Sequence, residues 1–502
     1  MRKRHWPWYL LYGLIYLLAV TLLVTCGWYH RTYNVGFKEL LYTMLGPLEG
    51  AGNSVIDLVL SSCVPPIVRL TAGYAVAGFL VSECRWNRTL WTLGGRRRFP
   101  ARLLRGLRRA GAAGCVLLLL ASGVFVERKF DVSGYIAELR DQTLIYDTDY
   151  VDPAQVTITP PEKPKNLIYL YLESMETTYM ARAEGGVQPE ALMPNLSRLA
   201  QENVSFRGTN TPSGFRPVTG TIWTIASLVA STAGIPFSFP VAANAMDVYD
   251  HFAPGLTNLG DILARSGYRQ EFLCGSDAKF GGRANYFTQH GAYSLFDLFT
   301  ARETGYIPPD YYVWWGFEDA YLFEIAKDEI TRLAASAEPF NMTLLTVDLH
   351  HLNGYVCPLC QENHQNRTAD VVNCTDRQVG DFIAWCQEQP FYEDTVIVVS
   401  GDHPRQDLSL VDGVDYLDRT VYQTYLGAVV QPAEGAMENR EFTAMDMFPT
   451  TLAALGFRIE GERLGLGTNL FSGVPTLAER MGVAALDAEL GKYSQYFMDH
   501  FN

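Results

Sequence analysis

The chain has 502 residues, 48% hydrophobic and 13% aromatic, with only 19% charged residues and a formal net charge of −14. That length and apolar content exclude intrinsic disorder, bury a large core and exceed one ordinary domain. The charge is split: residues 1–127 hold fifteen Lys and Arg against five Asp and Glu, about +10, while the other 375 hold 25 against 49, about −24. A uniformly acidic soluble protein is therefore excluded, as is a chain-wide nucleic-acid binder, which needs a basic face.

The first element is an uncharged run from Trp8 to Tyr29. About 20 apolar residues in a helix cross the hydrocarbon core, so this run is long enough to span, and too long for a cleaved signal peptide. Leu40 to Leu60 is apolar but broken by Gly and Pro, and reads as an interfacial or re-entrant element. A second span is expected over Ile67–Ser82, after Pro65 and Pro66, and a third over Ala110–Val126. MRKRH precedes the first span, and nine arginines lie between Arg85 and Arg109. Positive residues in short loops stay on the cytoplasmic side, so three spans place residue 128 onward outside. Residues 1–127 are thus expected to be a multi-pass transmembrane region in a cell membrane.

Residues 128–165 read as a linker, with a short helix at YIAELRDQT and an extended, proline-rich stretch after it. A globular domain is expected over 166–502. NLIYLYLES is a near-continuous apolar run that ends in polar residues, the pattern of a buried parallel strand delivering a functional group at its carboxyl end. FNMTLLTVDLH (340–350) and DTVIVVSGDH (394–403) repeat the pattern. Helical stretches separate them at 195–203, 257–267, 317–336 and 376–389. Alternating strand and helix implies an α/β/α sandwich, in which ligands sit at the strand carboxyl ends.

Those three strand ends carry Glu173, then Asp348 with His350 and His351, then Asp402 with His403. Oxygen and imidazole ligands together suit Mn²⁺, Zn²⁺ or Mg²⁺. A nucleophile for a metal hydrolase or transferase is offered by SGFRPVTGTIWTIASLVAS (213–231), where turn residues lead into an apolar helix. Backbone N–H groups and the positive dipole end at a helix start favour an alkoxide and a bound phosphate. Thr221 and Thr224 both lie there, and spacing alone does not choose between them.

NLIYLYLESMETTY, GTIWTIASLVASTAGIP, TVDLHHLNGY, VSGDH, MDMFPTTLAALG and RLGLGTNLF, in this order over residues 166–471, resemble the phosphoglycerol transferase I and lipoteichoic acid synthase families of the alkaline phosphatase/sulfatase superfamily. TVDLHHLNGYVC and RLGLGTNLF are more similar to phosphoglycerol transferase I. The resemblance implies an alkaline phosphatase-like α/β/α fold behind the transmembrane region. It implies a divalent metal, Mn²⁺ first and Mg²⁺ or Zn²⁺ as alternatives, held by Glu173, Thr221, Asp402 and His403. Thr221 matches the family nucleophile, with Gly234 and Pro236 falling where the family's Gly and Pro fall. His350 and Arg283 match residues at the substrate phosphate and glycerol. The lipoteichoic acid synthases carry a Trp where this chain has Gly281, so the resemblance does not define the glycerol pocket. The implied reaction moves glycerol phosphate from phosphatidylglycerol, through a phospho-threonine, to an extracytoplasmic glycan or glycerolphosphate acceptor. The alternatives are a phosphoethanolamine transferase and a sulfatase-like hydrolase, although no C-x-P-S-R string is present. A nucleic-acid partner is not expected.

Cys26, Cys63, Cys84 and Cys115 fall in or near the membrane region and read as small apolar residues. Outside it, Cys357, Cys360, His364 and Cys374 offer either a structural Zn²⁺ set or, in an oxidising compartment, a disulfide.

Overall fold

A computed structural model describes residues 6–33, 37, 53–87, 89–92, 95–98, 101–138, 140–208, 214–237, 251–350 and 352–501. Among these, the chain divides into two compact units, with the break between Ala137 and Glu138, inside the stretch read as a linker.

The first unit is built on helices Trp6–Tyr33, Asn53–Asn87 and Ala101–Phe130. Each holds a window long and apolar enough to cross a membrane: Leu10–Thr32, Val59–Gly78 and Gly106–Phe130. The second helix starts well before the expected Ile67 and runs through Pro65 and Pro66. Prolines are tolerated in membrane helices because neighbouring groups re-satisfy the freed carbonyls. Of the apolar stretch 40–60, residues 53–60 open this helix and 40–52 lie outside the described residues. Tyr16 and Tyr74 stack with ring centroids 4.3 Å apart, and the Cys115 thiol lies 3.5 Å from the Tyr74 hydroxyl. One tyrosine thus joins all three helices.

The second unit is a sandwich around a six-stranded sheet. Its strands are β1 (Asn166–Leu172), β2 (Arg269–Cys274), β3 (Ser294–Phe296), β4 (Phe340–Leu345), β5 (Thr395–Gly401) and β6 (Gln423–Leu426). The order is β3-β2-β4-β1-β5-β6, parallel except for β6, which pairs antiparallel with β5. β1, β4 and β5 are the strands the apolar runs predict. β2, β3 and β6 are additional, and two of them form the sheet edges.

Every residue of β1 after Asn166 is buried, because helices cover both faces. Leu167, Tyr169 and Tyr171 join one apolar core with helices Thr224–Ala233 and Met447–Ala454. Ile168, Leu170 and Leu172 join the opposite core with helices Pro194–Glu202, Asp319–Ala334 and Arg367–Gln387. The last of these starts nine residues before its expected beginning, capped by Asn366, whose side chain accepts from Thr368 N–H at 2.8 Å. Residues beyond 140 fold with this unit. Ile145 and Tyr146 are in its core, and Ile158–Thr159 pairs with Arg458–Ile459.

Candidate metal centre and active site

Sheet register assembles the site. β1 lies between β4 and β5, with Leu172 opposite Gly401 and Tyr171 opposite Leu345. Glu173, leaving β1, therefore emerges beside Asp402, leaving β5. The two turns approach so closely that a Cβ on Gly401 would lie 2.0 Å from Met175 O; only glycine fits.

Asp402 fixes this crossing. Its Oδ1 accepts from Ser174 N–H at 2.8 Å and from His403 N–H at 2.7 Å. Its Oδ2 is buried and accepts no hydrogen bond. Ser174, at φ 52, holds a left-handed conformation that a serine rarely adopts, and its hydroxyl donates to Glu173 Oε1 at 2.5 Å. The His403 Nδ1–H donates to Pro404 O at 2.8 Å, which turns the Nε2 lone pair inward. Nε2 stands 3.6 Å from Glu173 Oε1 and 3.4 Å from Asp402 Oδ2.

One ligand atom from each of Glu173, Asp402 and His403 lies within 4.8 Å of the others, and all three residues are buried. Two carboxylates and an imidazole converging here, one oxygen without a hydrogen-bond donor, fit a divalent cation. The electrostatics carry the same mark of crowded charge. Burial and the neighbouring Glu173 carboxylate push Asp402 up to about 7. Burial works against ionisation of Glu173, but the charges of His350 and His403 and the Ser174 hydroxyl bond hold its carboxyl below the usual value.

The hydroxyl at this cluster belongs to Thr224. Its Oγ1 is 3.4 Å from both Glu173 Oε2 and His403 Nε2. Thr224 is the first residue of helix Thr224–Ala233, after Trp223 in extended conformation, so free N–H groups of the first turn surround it. Thr221, the expected nucleophile and ligand, is engaged elsewhere. It is buried in the turn before the helix, where its hydroxyl donates to Val218 O at 2.8 Å and accepts from Val218 N–H at 3.1 Å. The hydroxyl that contacts the cluster thus stands three residues beyond the one the motif points to, because the helix begins at Thr224 and not at Thr221. Gly234 ends that helix at φ 68.

A profile of the sulfatase family matches residues 165–457, more than half of the chain. The chain belongs to the sulfatase family. Within the family's relatives, phosphoglycerol transferase I of Salmonella choleraesuis is 30% identical over 473 residues, which covers 92% of this chain and 56% of that protein. Phosphoglycerol transferase I of Xanthomonas euvesicatoria is 30% identical over 315 residues, 60% of this chain and 43% of that one. The chain thus spans about half the length of the curated relatives it matches. Among solved structures, the integral membrane lipooligosaccharide phosphoethanolamine transferase A of Neisseria meningitidis shares the fold, with a TM-score of 0.50 and 14% identity over 89% of this chain and 84% of that one.

The other expected site residues of this sulfatase-family domain surround the cluster unevenly. His350 lies beyond β4 and is the strongest positive influence on Glu173. Its ring packs on Trp315, centroids 4.4 Å apart. Asp348 is not in the cluster: its carboxylate is buried, accepts no hydrogen bond and is held well above the usual range by burial and by Asp319. His351 lies outside the described residues. Arg283 is buried and turned to its own loop, with Nε donating to Phe280 O at 2.9 Å and Nη2 to Asp277 O at 2.7 Å and Ser276 Oγ at 3.1 Å.

Sequence reasoning passed over Trp315 and Arg405. Gly281, at φ 66, could carry a tryptophan only with strain. A tryptophan is carried by the run YYVWWGF, where Val313 and Gly316 close a tight hairpin turn. Trp315 packs on both His350 and Phe280, 5.3 Å from the latter, and Arg283 lies over the Phe280 ring at 5.6 Å. Arg405 is fully buried. It pairs with Asp407 and donates to Leu349 O at 2.8 Å, tying the turn after His403 to the loop that carries His350. The double tryptophan was the available signal for the first; nothing local marks the second.

Of the two arrangements open to these residues, the Cys–His zinc set is only partly assembled. Cys357, Cys360 and Cys374 form a group, but His364 Nδ1 is bonded to Asp370 Oδ1 at 2.8 Å.

Proposed function

We propose that the chain is a membrane-anchored, divalent-metal-dependent phosphotransferase that takes glycerol phosphate from phosphatidylglycerol onto Thr224 and hands it to a glycan or glycerolphosphate hydroxyl outside the cell. The observation that carries this reading is a half-buried threonine hydroxyl, at a helix start, 3.4 Å from a carboxylate and an imidazole of a metal-type cluster. The relatives named phosphoglycerol transferase I support the choice of transferred group.

Glu173, Asp402 and His403 would hold a cation, Mn²⁺ first, beside Thr224, where it would supply positive charge that favours the ionised hydroxyl and polarises the phosphodiester. Thr224 Oγ attacks phosphorus, the phosphorus–oxygen bond to diacylglycerol breaks, and diacylglycerol leaves with a proton. The first-turn N–H groups and His350 steady the phosphoryl oxygens. The acceptor oxygen then attacks the same phosphorus and returns Thr224 to its hydroxyl form. Three apolar helices among the described residues would anchor the chain in the bilayer that holds the donor, and the arginine-rich stretch between the second and third supports an outward-facing catalytic domain.

The test is the protein reconstituted in vesicles of phosphatidylglycerol, with Mn²⁺ or with chelator. Diacylglycerol release that needs both the metal and Thr224 is expected. Release only from phosphatidylethanolamine vesicles would transfer the mechanism to another headgroup, and no release from either, with metal bound, would overturn it.

A further inference from the structure

The loop that leaves His350 returns to the protein through three thiols. Cys357 Sγ lies 3.6 Å from Cys360 Sγ and 3.8 Å from Cys374 Sγ. Cys357 and Cys360 close a turn, with Cys360 N–H donating to Cys357 O at 3.0 Å, and Arg377 braces it by donating to Leu359 O at 2.9 Å. Cys374 belongs to helix Arg367–Gln387. Cys357 and Cys374 are buried, whereas Cys360 is half-buried. The one other polar side chain bonded to these sulfurs among the described residues is Gln378, whose Nε2 is 3.6 Å from Cys374 Sγ and 3.9 Å from Cys357 Sγ. Among the described residues no fourth ligand of the thiol or imidazole type joins the group, and His364 is bonded to Asp370.

We propose that the three cysteines are a disulfide relay, in which Cys360 takes a disulfide from an external thiol–disulfide oxidant and passes it to the buried pair Cys357–Cys374. The positions fit each step. Cys360 is the one of the three residues that is not buried, and Cys357 Sγ stands 3.6 Å and 3.8 Å from the two other sulfurs.

The exchange balances without loss of electrons. Cys360 thiolate attacks an external disulfide R–S–S–R, one R–SH leaves, and a Cys360–S–S–R bond forms. Cys357 attacks the Cys360 sulfur, the second R–SH leaves, and Cys357–Cys360 forms. Cys374 then attacks the Cys357 sulfur and Cys360 leaves as a thiol. One external disulfide and two protein thiols become one buried disulfide and two small thiols. The final bond fastens the loop carrying His350 to helix Arg367–Gln387. That loop is already folded back by Tyr355 N–H donating to Asp348 O at 2.7 Å.

The experiment uses the full chain in detergent micelles, fully reduced and then exposed to oxidised glutathione. Remaining thiols are alkylated at intervals and cross-linked peptides identified by mass. A Cys357–Cys374 link with Cys360 alkylated is expected. Cys360→Ser should form the same link about tenfold more slowly, and Cys374→Ser should stop at Cys357–Cys360. Hydrogen exchange over residues 352–357 should slow in the linked form. Three thiols that stay free in oxidised glutathione would overturn the relay, as would an unchanged rate in Cys360→Ser. So would one equivalent of zinc in the purified protein that disappears in Cys357→Ser.

Discussion

Replacing each of the two threonines near the start of helix Thr224–Ala233 separates the geometry from the motif. Thr224→Ala removes a hydroxyl whose contacts, 3.4 Å to Glu173 and to His403, are long. Its loss should cost under about 1 kcal/mol of stability. If Thr224 is the nucleophile, the same change should lower turnover by about 10⁴-fold or more, equivalent to over about 5 kcal/mol of barrier. Thr221→Ala reverses the pattern. It removes one buried hydroxyl that makes two bonds to Val218, at 2.8 Å and 3.1 Å, while Thr221 N–H still donates to Val218 O at 3.0 Å; the loss should cost roughly 1–3 kcal/mol and lower Tm by a few degrees, with turnover kept within about tenfold. The assay is diacylglycerol release from phosphatidylglycerol vesicles with Mn²⁺, read beside Tm and bound metal. Mass analysis of the trapped adduct then locates the glycerol phosphate. A labelled Thr221, or an inactive but fully metal-loaded Thr221→Ala beside an active Thr224→Ala, would refute the reasoning.

Mn²⁺ at one hundred times its Kd should stabilise the domain by about 2.7 kcal/mol; calorimetry on Asp402→Asn should show that gain abolished, and an equal gain in both proteins would place the ion elsewhere. Trp315→Leu frees the His350 ring from the indole packed against it and should cut kcat/KM about ten- to hundredfold with metal content unchanged; unaltered kinetics would leave the indole without a role in the site. Gly234→Ala forces a side chain into a left-handed position with its Cβ 2.7 Å from Leu464 O and should cost at least about 1 kcal/mol, which thermal denaturation would detect. Asp446 is buried, which pushes its carboxyl up to about 7 from an ordinary 3.8. The folded state keeps a proton there that the unfolded chain releases, so stability from this group falls as pH rises from about 4 to 7 and is level above that. Asp446→Asn should remove this slope, and parallel melting curves at pH 5 and pH 8 would count against it.

The sequence by itself determined what depends on neighbours along the chain. Apolar run length announced three helices long and apolar enough to cross a membrane, and continuous apolar strands ending in Glu173, Asp402 and His403 announced parallel strands that bring candidate ligands to one edge. Both are local signals, because burial on every side demands an unbroken apolar run. Tertiary structure alone decided which residues meet. The short edge strands β3 and β6 carry too few residues for a periodic signal. Thr221 and Thr224 stand three residues apart before the same apolar helix, and only the turn closed on Val218 puts one hydroxyl at the cluster and the other away from it. Trp315 reaches His350 from a hairpin distant in sequence from Gly281, and His364 is drawn from the cysteines by Asp370. Such meetings are fixed by strand register and chain reversal over tens to hundreds of residues, and residue type and spacing carry no record of them.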